Sequence, residues 1–477
     1  MQKRIIFKIL SSGINFFISI FLGIIVPRIL GPKVYGDYSY VISTYAFFLQ
    51  ILLFSSNTAY IYFLSTKKHK IQSVNSFYFI YLFLVAIITI SISIFSFNLD
   101  LGLLYLWNNI TDLKILILGL VFGLLFNFQQ RLIDYSDSSL QTIKSEKIRL
   151  LAKIITLVLV VVFISLNIFN IYGYLIINIL SIIIFIICFF SLIKINIEKF
   201  CKNEFIEIFN DFYYYLKPLF IFAIVSSIYS YFGKYVLQSS SGSLAQGYFN
   251  FAFQITMIPV GFIYSLMSVF LSDMTKLNDK KDFIGLRKIF NFAVNKLFVI
   301  HAVFSFFLLI NTNELIVLLV GESYLNSVSS IKALCVFSLF NTLGMISSNI
   351  FYSTGRNKLY SNINTLIMFL GILCYAYYYF SDNKLNALGL SLIMVFIYSL
   401  RLFIQLIYNL NYLKIKKFKF FINLIKNSLL ILLIIYFVNI FELTIFFNAI
   451  ITITILILVN FVFKDYLGIL LIKKIKK

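Results

Sequence analysis

Two basic residues, Lys234 and Arg401, stand inside apolar runs of this 477-residue chain. Intervals of three and four residues place Lys234 on one helical face with other polar side chains. These are Ser227, Ser230, Gln238 and Ser241. A lysine deep in a membrane helix costs at least about 2.5–3.5 kcal/mol and usually faces a cavity or a partner. Because no acid lies deep in an apolar run, the pattern favours an anionic ligand over snorkelling or pairing with the backbone.

Two arginines are weaker candidates for the same chemistry. Arg401 shares a helical face with Gln405 and Tyr408, and Arg28 directly follows Pro27. Pro27 cannot donate to the carbonyl of the preceding turn, so we predict a bend there, with Pro259 as a second hinge. Both arginines could instead snorkel to an interface.

Other reactive side chains form no recognisable site. His301 is isolated in an apolar run, where hydrogen-bonded packing is favoured over proton relay. The four cysteines show no metal or redox spacing, so we read them as small apolar residues. We therefore expect no catalytic residue, no metal site and no cofactor.

Composition defines the elements that must position these residues. Hydrophobic residues make up 61% of the chain and charged residues 12%, which excludes an ordinary soluble domain. About fourteen apolar segments are long enough to cross a bilayer, which needs roughly 20 residues each. The fold class predicted is an all-α membrane protein. The net charge of +22 then reflects topology and attraction to membrane lipids rather than nucleic-acid binding.

The basic residues alternate between the gaps that separate the apolar segments. Of the 40 lysines and arginines, 33 fall in every second gap, including both ends of the chain, and five fall in the others. Cytoplasmic loops of membrane proteins carry this excess of positive charge. The pattern predicts a multi-pass membrane protein with both termini in the cytoplasm.

The chain also contains an internal duplication. The segment 31–40, GPKVYGDYSY, aligns with 242–251, GSLAQGYFNF, at a shift of 211 residues, and both glycines and both aromatics coincide. Six apolar segments return a chain to the same side, so the halves are parallel repeats, a transporter architecture. We predict a six-helix lobe at 1–195, an amphipathic linker helix at 196–217, a second lobe at 218–412, and two more helices with a basic tail at 413–477.

Polar residues follow the aligned segments in both halves. The second half carries Asn250, Gln254, Met257, Gly261, Ser265, Ser268 and Ser272 on one face, and the first carries Ser39, Ser43, Ala46 and Gln50. Such rows either bond helices together or line a water-filled cavity, and their repetition favours the cavity. The predicted substrate contacts are Arg28, Gln50, Ser230, Lys234, Gln238, Asn250, Gln254 and Arg401.

The segment PRILGPKVYGDYS resembles a signature of Wzx-type polysaccharide flippases in the multidrug/oligosaccharidyl-lipid/polysaccharide exporter superfamily. The stretch beginning GSLAQGYFNFAFQ resembles helix 8 of that family, and YSTGRNKL and NALGLSLI resemble weaker motifs. The resemblance implies a V-shaped, MATE-like transporter of fourteen helices, in which helices 1, 2, 7 and 8 line a cationic lumen and helices 13 and 14 hold a lipid tail. Helix 2 has no deep basic residue, which argues against lipid II as cargo.

The resemblance implies a flippase, not an enzyme, for undecaprenyl-diphosphate-linked oligosaccharide. The cargo would be an O-antigen (lipopolysaccharide) or capsular repeat unit, moved to the periplasmic leaflet by alternating access. The expected state is a monomer, with a polymerase and a chain-length regulator as further partners. Two alternatives stay open. A cation-coupled drug exporter needs carboxylates in the spans, and a membrane polymerase or glycosyltransferase needs an outward loop richer in carboxylates than 311–328.

Overall fold

The structure is a computed structural model that describes residues 2–66, 70–98, 106–108, 110–139, 141–195 and 202–440. Within these ranges the chain is helical and contains no strand. The helices are α1 (Gln2–Leu53), α2 (Ser56–Thr66), α3 (Ile71–Asn98), α4 (Leu113–Ser138), α5 (Thr142–Ser165), α6 (Ile171–Leu192), α7 (Lys202–Leu216), α8 (Phe220–Thr256), α9 (Ile258–Asp279), α10 (Phe283–Phe292), α11 (Phe298–Ile310), α12 (Thr312–Val320), α13 (Val328–Ser353), α14 (Asn357–Phe380), α15 (Ala387–Tyr412) and α16 (Lys417–Ile440).

Ten helical segments of the described chain are long and apolar enough to cross a membrane. This confirms the all-α membrane class, while the number of fourteen spans stays a prediction. The segment 443–463, predicted as the last span, lies outside the described residues, as does the basic tail. Helix α16 corresponds to the thirteenth predicted span.

Two long helices, α1 and α8, are each broken at a glycine. Gly31 has φ 74° and ψ 165°, and Gly242 has φ 73° and ψ −172°. Only glycine adopts this region without strain. The two breaks are separated by the repeat shift of 211 residues, so the halves share this backbone feature. The non-helical backbone at Gly31 lies between the first two predicted spans, 6–30 and 37–64, and the bend expected at Pro27 stays a prediction.

The segments after the two breaks cross at their glycines. A Cβ atom on Gly36 would overlap the carbonyl oxygen of Ser243, and one on Gly247 would overlap that of Pro32. Pro32 and Ser243 are themselves related by the repeat shift, so the two contacts are equivalent. Glycine at both positions lets the two backbones approach closely.

The chain divides into two compact units. Unit 1 comprises Met1–Phe251 and Ser361–Ile393, and unit 2 comprises Ala252–Tyr360 and Met394–Lys477. Within unit 1, α7 buries Ile208 and Phe212 in an aromatic cluster that includes Tyr78. This agrees with an amphipathic helix in the predicted linker, whose first residues, 196–201, lie outside the described part. The predicted lobe boundaries stay predictions.

The core of unit 2 contains the isolated histidine. Both ring nitrogens of His301 lie within hydrogen-bond distance of hydroxyls, Nδ1 at 2.5 Å from Thr342 Oγ1 and Nε2 at 3.2 Å from Ser338 Oγ. These contacts satisfy a fully buried imidazole. They support the packing interpretation.

A buried carboxylate lies at the start of α5. Glu146 is 1% exposed, Arg149 lies 2.7 Å from its Oε2, and Ser11 of α1 donates to the same oxygen. The sequence-based spans, 112–130 and 148–167, leave Glu146 outside the membrane segments, whereas the apolar helix Thr142–Ser165 includes it. Glu146 lies near the start of this helix, so the expectation that no acid lies deep in a span stays a prediction.

Replacing Glu146 with alanine should strongly destabilise unit 1. The change leaves Arg149 and Ser11 without their buried acceptor, a loss worth about 3 kcal/mol. The thermal unfolding midpoint of the purified protein measures the effect. Glu207→Ala, at an exposed carboxylate of α7, is the control. Equal midpoints for the two variants would mean that the buried ion pair contributes nothing to the fold.

Candidate substrate-binding site

Lys234 lies on the first arm of α8 and reaches the second arm of α1. Its Nζ donates to Ser43 Oγ at 2.9 Å, and Ser43 in turn donates to the carbonyl of Ser39 at 2.7 Å. Among the described residues, no carboxylate lies within ion-pair distance of Lys234. An ammonium carries three donors, and this arrangement uses one. Lys234 can therefore donate to an anion without first losing a partner.

A cluster of hydroxyl groups lies between α1 and α8. Tyr231 OH lies 3.2 Å from both Tyr40 OH and Thr44 Oγ1, and Asn108 Nδ2 donates to Tyr40 OH at 2.7 Å. The ring of Phe47 stacks on Tyr231 at 4.3 Å between centroids. Sequence analysis missed this cluster. Tyr40 is one of the aromatics aligned by the repeat, but nothing in the sequence pairs it with Tyr231.

Gln238 belongs to a second polar chain near the glycine crossing. Its Nε2 donates to Ser243 Oγ at 3.0 Å, and Ser243 donates to the carboxylate of Asp37. Gln238 is buried, with its Oε1 atom unbonded. Lys234 therefore contacts α1 directly, whereas Gln238 is linked to α1 through Ser243 of its own helix.

The other predicted contacts in unit 1 are dispersed. Arg28 and Gln50 are exposed on the two arms of α1, and Ser230 is exposed on α8 with its hydroxyl bonded to the Ser227 carbonyl. The amide of Asn250 donates to the Gln246 carbonyl at 2.9 Å. Pro27 is buried within α1. Roles of these residues in binding or bending stay predictions.

Unit 2 holds the remaining candidates. Arg401 Nη2 donates to Tyr360 OH at 3.0 Å, and its guanidinium lies 5.2 Å from the centre of the Tyr398 ring. Its Nε is buried and unbonded, and no carboxylate of the described chain pairs with it. Gln254 is half-buried at the end of α8, and Pro259 is buried in the first turn of α9.

The guanidinium of Arg356 makes more hydrogen bonds than that of Arg401. Its Nη2 donates to Asn409 at 2.8 Å, its Nε to Thr354 at 2.9 Å, and its guanidinium lies 4.0 Å from the Tyr412 ring centre. It follows Gly355, which ends α13 with φ 70° as its sequence suggests. Arg356 is one of the basic residues on the predicted cytoplasmic side, and its side chain also ties α13 to α15.

Arg356→Ala should therefore lower stability by about 2 kcal/mol or more, since two charge-assisted hydrogen bonds and a stacked ring are lost. Thermal unfolding of the purified protein gives the measurement. Lys358→Ala, two residues further and exposed, should be neutral. If both variants melt like the parent chain, the contacts of Arg356 are not stabilising.

Together, the glycine-broken helices and the ten apolar segments define a multi-pass membrane protein with a transporter fold. Three solved structures share it over most of this chain. The lipid II flippase MurJ in an inward closed conformation has a TM-score of 0.71 at 18% identity, covering 99% of this chain and 100% of that one. An inward-facing multidrug resistance MATE transporter of the MOP superfamily has 0.59 at 13%, covering 85% and 94%. A MOP superfamily transporter from Pyrococcus furiosus has 0.59 at 15%, covering 86% and 96%.

The family follows from the sequence itself. Residues 1–271 match the family described as polysaccharide biosynthesis protein, and the chain belongs to that family. This confirms the resemblance seen in the segment PRILGPKVYGDYS. No curated protein sequence matches the chain.

Proposed function

We propose that this protein is a flippase that moves a lipid-linked oligosaccharide across the membrane by alternating access. The observation that carries the proposal is Lys234, an ammonium inside an apolar helix that donates to Ser43 and has no carboxylate beside it in the described part of the chain. A diphosphate with a hydrophilic glycan cannot cross about 30 Å of hydrocarbon unaided. A polar path lets the head group pass, and Lys234 binds the diphosphate through charge-assisted contacts.

Family membership supports a role in polysaccharide biosynthesis. We infer that the cargo is an undecaprenyl-diphosphate-linked O-antigen or capsular repeat unit. The second arm of α1, residues 32–53, has Lys33 at its start and no basic residue further in. This arm is the predicted second span, and its lack of deep positive charge favours these cargoes over lipid II.

The other predicted residues take subsidiary parts in this proposal. Gln238 lies with Lys234 on α8, and Arg28, Gln50, Ser230, Asn250, Gln254 and Arg401 are further cargo contacts. Pro27 and Pro259 are the proposed hinges. A cation-coupled exporter would need a carboxylate deep in a span that is free to bind a proton or ion. Among the described residues, Glu146 near the start of α5 is bound by Arg149 and Ser11, and Asp37 near the break at Gly31 accepts from Ser243.

We further propose that the protein lies in the cell inner membrane with both termini in the cytoplasm. It works as a monomer that delivers its cargo to a polymerase and a chain-length regulator.

Lys234 variants test the proposed chemistry. Lys234→Ala should lower surface glycan at least tenfold at equal protein abundance, because the diphosphate loses its cation. Lys234→Arg should retain part of the output, since the charge remains but its shape changes. Surface polysaccharide per flippase molecule in a complemented deletion strain is the measurement.

The matched control is Lys384→Gln, an exposed lysine of the same unit, which should export normally. Lys234→Gln should fail like Lys234→Ala. If it exports at the parental rate, the positive charge serves insertion or packing, and the cargo path lies elsewhere.

The charge pattern predicts sidedness. In a chain without its native cysteines, a cysteine at Asn313 should react with a membrane-impermeant maleimide added outside, and one at Lys280 should not. Both positions are exposed, so access decides the outcome. The reverse labelling pattern would overturn the proposed topology.

A further inference from the structure

The crossing of α1 and α8 is reciprocal. Gly36 leaves room for the backbone of Ser243, and Gly247 leaves room for the backbone of Pro32. Each residue of one contact is related to its counterpart in the other by the shift of 211. Both contacts immediately follow a glycine with φ near 74°, Gly31 or Gly242. At this crossing the two halves of the chain therefore meet backbone to backbone, with little side-chain volume between them.

This crossing lies next to the Lys234 site. Asp37 contacts Ser243, and Ser43, further along α1, contacts Lys234, which precedes Ser243 in α8. The second arm of α1 and the first arm of α8 therefore run antiparallel. Asp37 and Ser43 are six residues apart on α1, or about 9 Å along the axis. The crossing thus closes the interface between α1 and α8 about two helical turns from Lys234, measured along α1. The positive-inside pattern assigns that end to the outer side.

One side-chain hydrogen bond breaks the symmetry. Ser243 donates to Asp37 across the crossing, and the buried Gln238 of the same helix donates to Ser243. The repeat-related positions are Pro32 and Tyr248, which cannot form the same bond because proline has neither hydroxyl nor amide hydrogen. The crossing therefore has one charge-assisted hydrogen bond, on one side only. Such a bond can hold two close backbones together and still be broken once per cycle.

We propose that this crossing is a latch on the outer end of the cargo path, and that the Asp37–Ser243 hydrogen bond holds it closed. The inference rests on the proposed flippase function and assigns its release step. The Gly36–Ser243 and Gly247–Pro32 contacts must separate before a head group at Lys234 leaves on the outer side. Breaking the Asp37–Ser243 bond frees the two arms of α1 and α8 to part.

A reversible cross-link tests whether the crossing must open. Asp37→Cys and Ser243→Cys are combined in a chain whose native cysteines are replaced, and surface glycan is measured after oxidation and again after reduction. We expect the disulfide to lower export at least tenfold and the reductant to restore it. Each single-cysteine variant controls for loss of the hydrogen bond. Undiminished export by the cross-linked protein would overturn the latch.

Opening can also be measured without cargo. Gly36→Ala adds a methyl group where the Ser243 carbonyl lies, so the crossing cannot close fully. A single cysteine at Gln246, a buried residue next to Gly247, should then react with an impermeant maleimide at least tenfold faster than the same cysteine without the Gly36→Ala change. Gly13→Ala, where an added Cβ meets nothing within 4 Å, is the matched control. Equal labelling rates in the two variants would contradict a closed crossing.

The two readouts separate this inference from the proposed function. A deletion strain that assembles normal surface glycan and accumulates no lipid-linked oligosaccharide would reject the flippase. The maleimide rates would still report whether the crossing opens. A deletion strain that does accumulate cargo, complemented by a cross-linked chain that exports freely, would reject the latch and keep the flippase.

Discussion

Hydrocarbon offers no hydrogen bonds, and this constraint explains the polar contacts described in the apolar helices of this protein. A polar group there must find its partner within the protein, in a water-filled path or in a ligand. His301 finds two hydroxyls, and Glu146 finds Arg149 and Ser11. The contacts of His301 and the contact between Ser11 and Glu146 join residues of different helices, so they help to fix how the helices pack.

The same constraint separates structural cations from functional ones. Arg356, outside the apolar segments, donates to Asn409 and Thr354 and stacks on Tyr412, and these contacts link α13 to α15. Lys234 lies inside an apolar helix, donates to Ser43, and has no carboxylate within ion-pair distance among the described residues. The position of each cation and the chemistry of its partners, rather than the residue type, distinguish the two.

Features set by local sequence were predictable. The spacing of polar residues around Lys234 indicated a helical face, and the alignment of Gly31 with Gly242 indicated equivalent backbone in the two halves; the structure shows both. Features set by distant partners were not. Tyr40 and Tyr231 are 191 residues apart, and nothing in either segment indicates the contact. Glu146 looked like part of a cytoplasmic loop because its burial depends on Ser11, far away in the chain. The rule for helix-interior prolines predicts a bend at Pro27, which stays a prediction, and the break at Gly31 lies where the sequence separates the first two spans.

The reciprocal crossing also bears on how such a chain could arise. Contacts in which residue i of one half meets residue j of the other, and j meets i, are the hallmark of a twofold homodimer interface. Gly36 with Ser243 and Gly247 with Pro32 have this form inside a single polypeptide. A half-length ancestor could have paired with its own copy through the same four positions. Fusion of the two copies then allowed one side to acquire Asp37 opposite Ser243, an asymmetry that identical subunits cannot have.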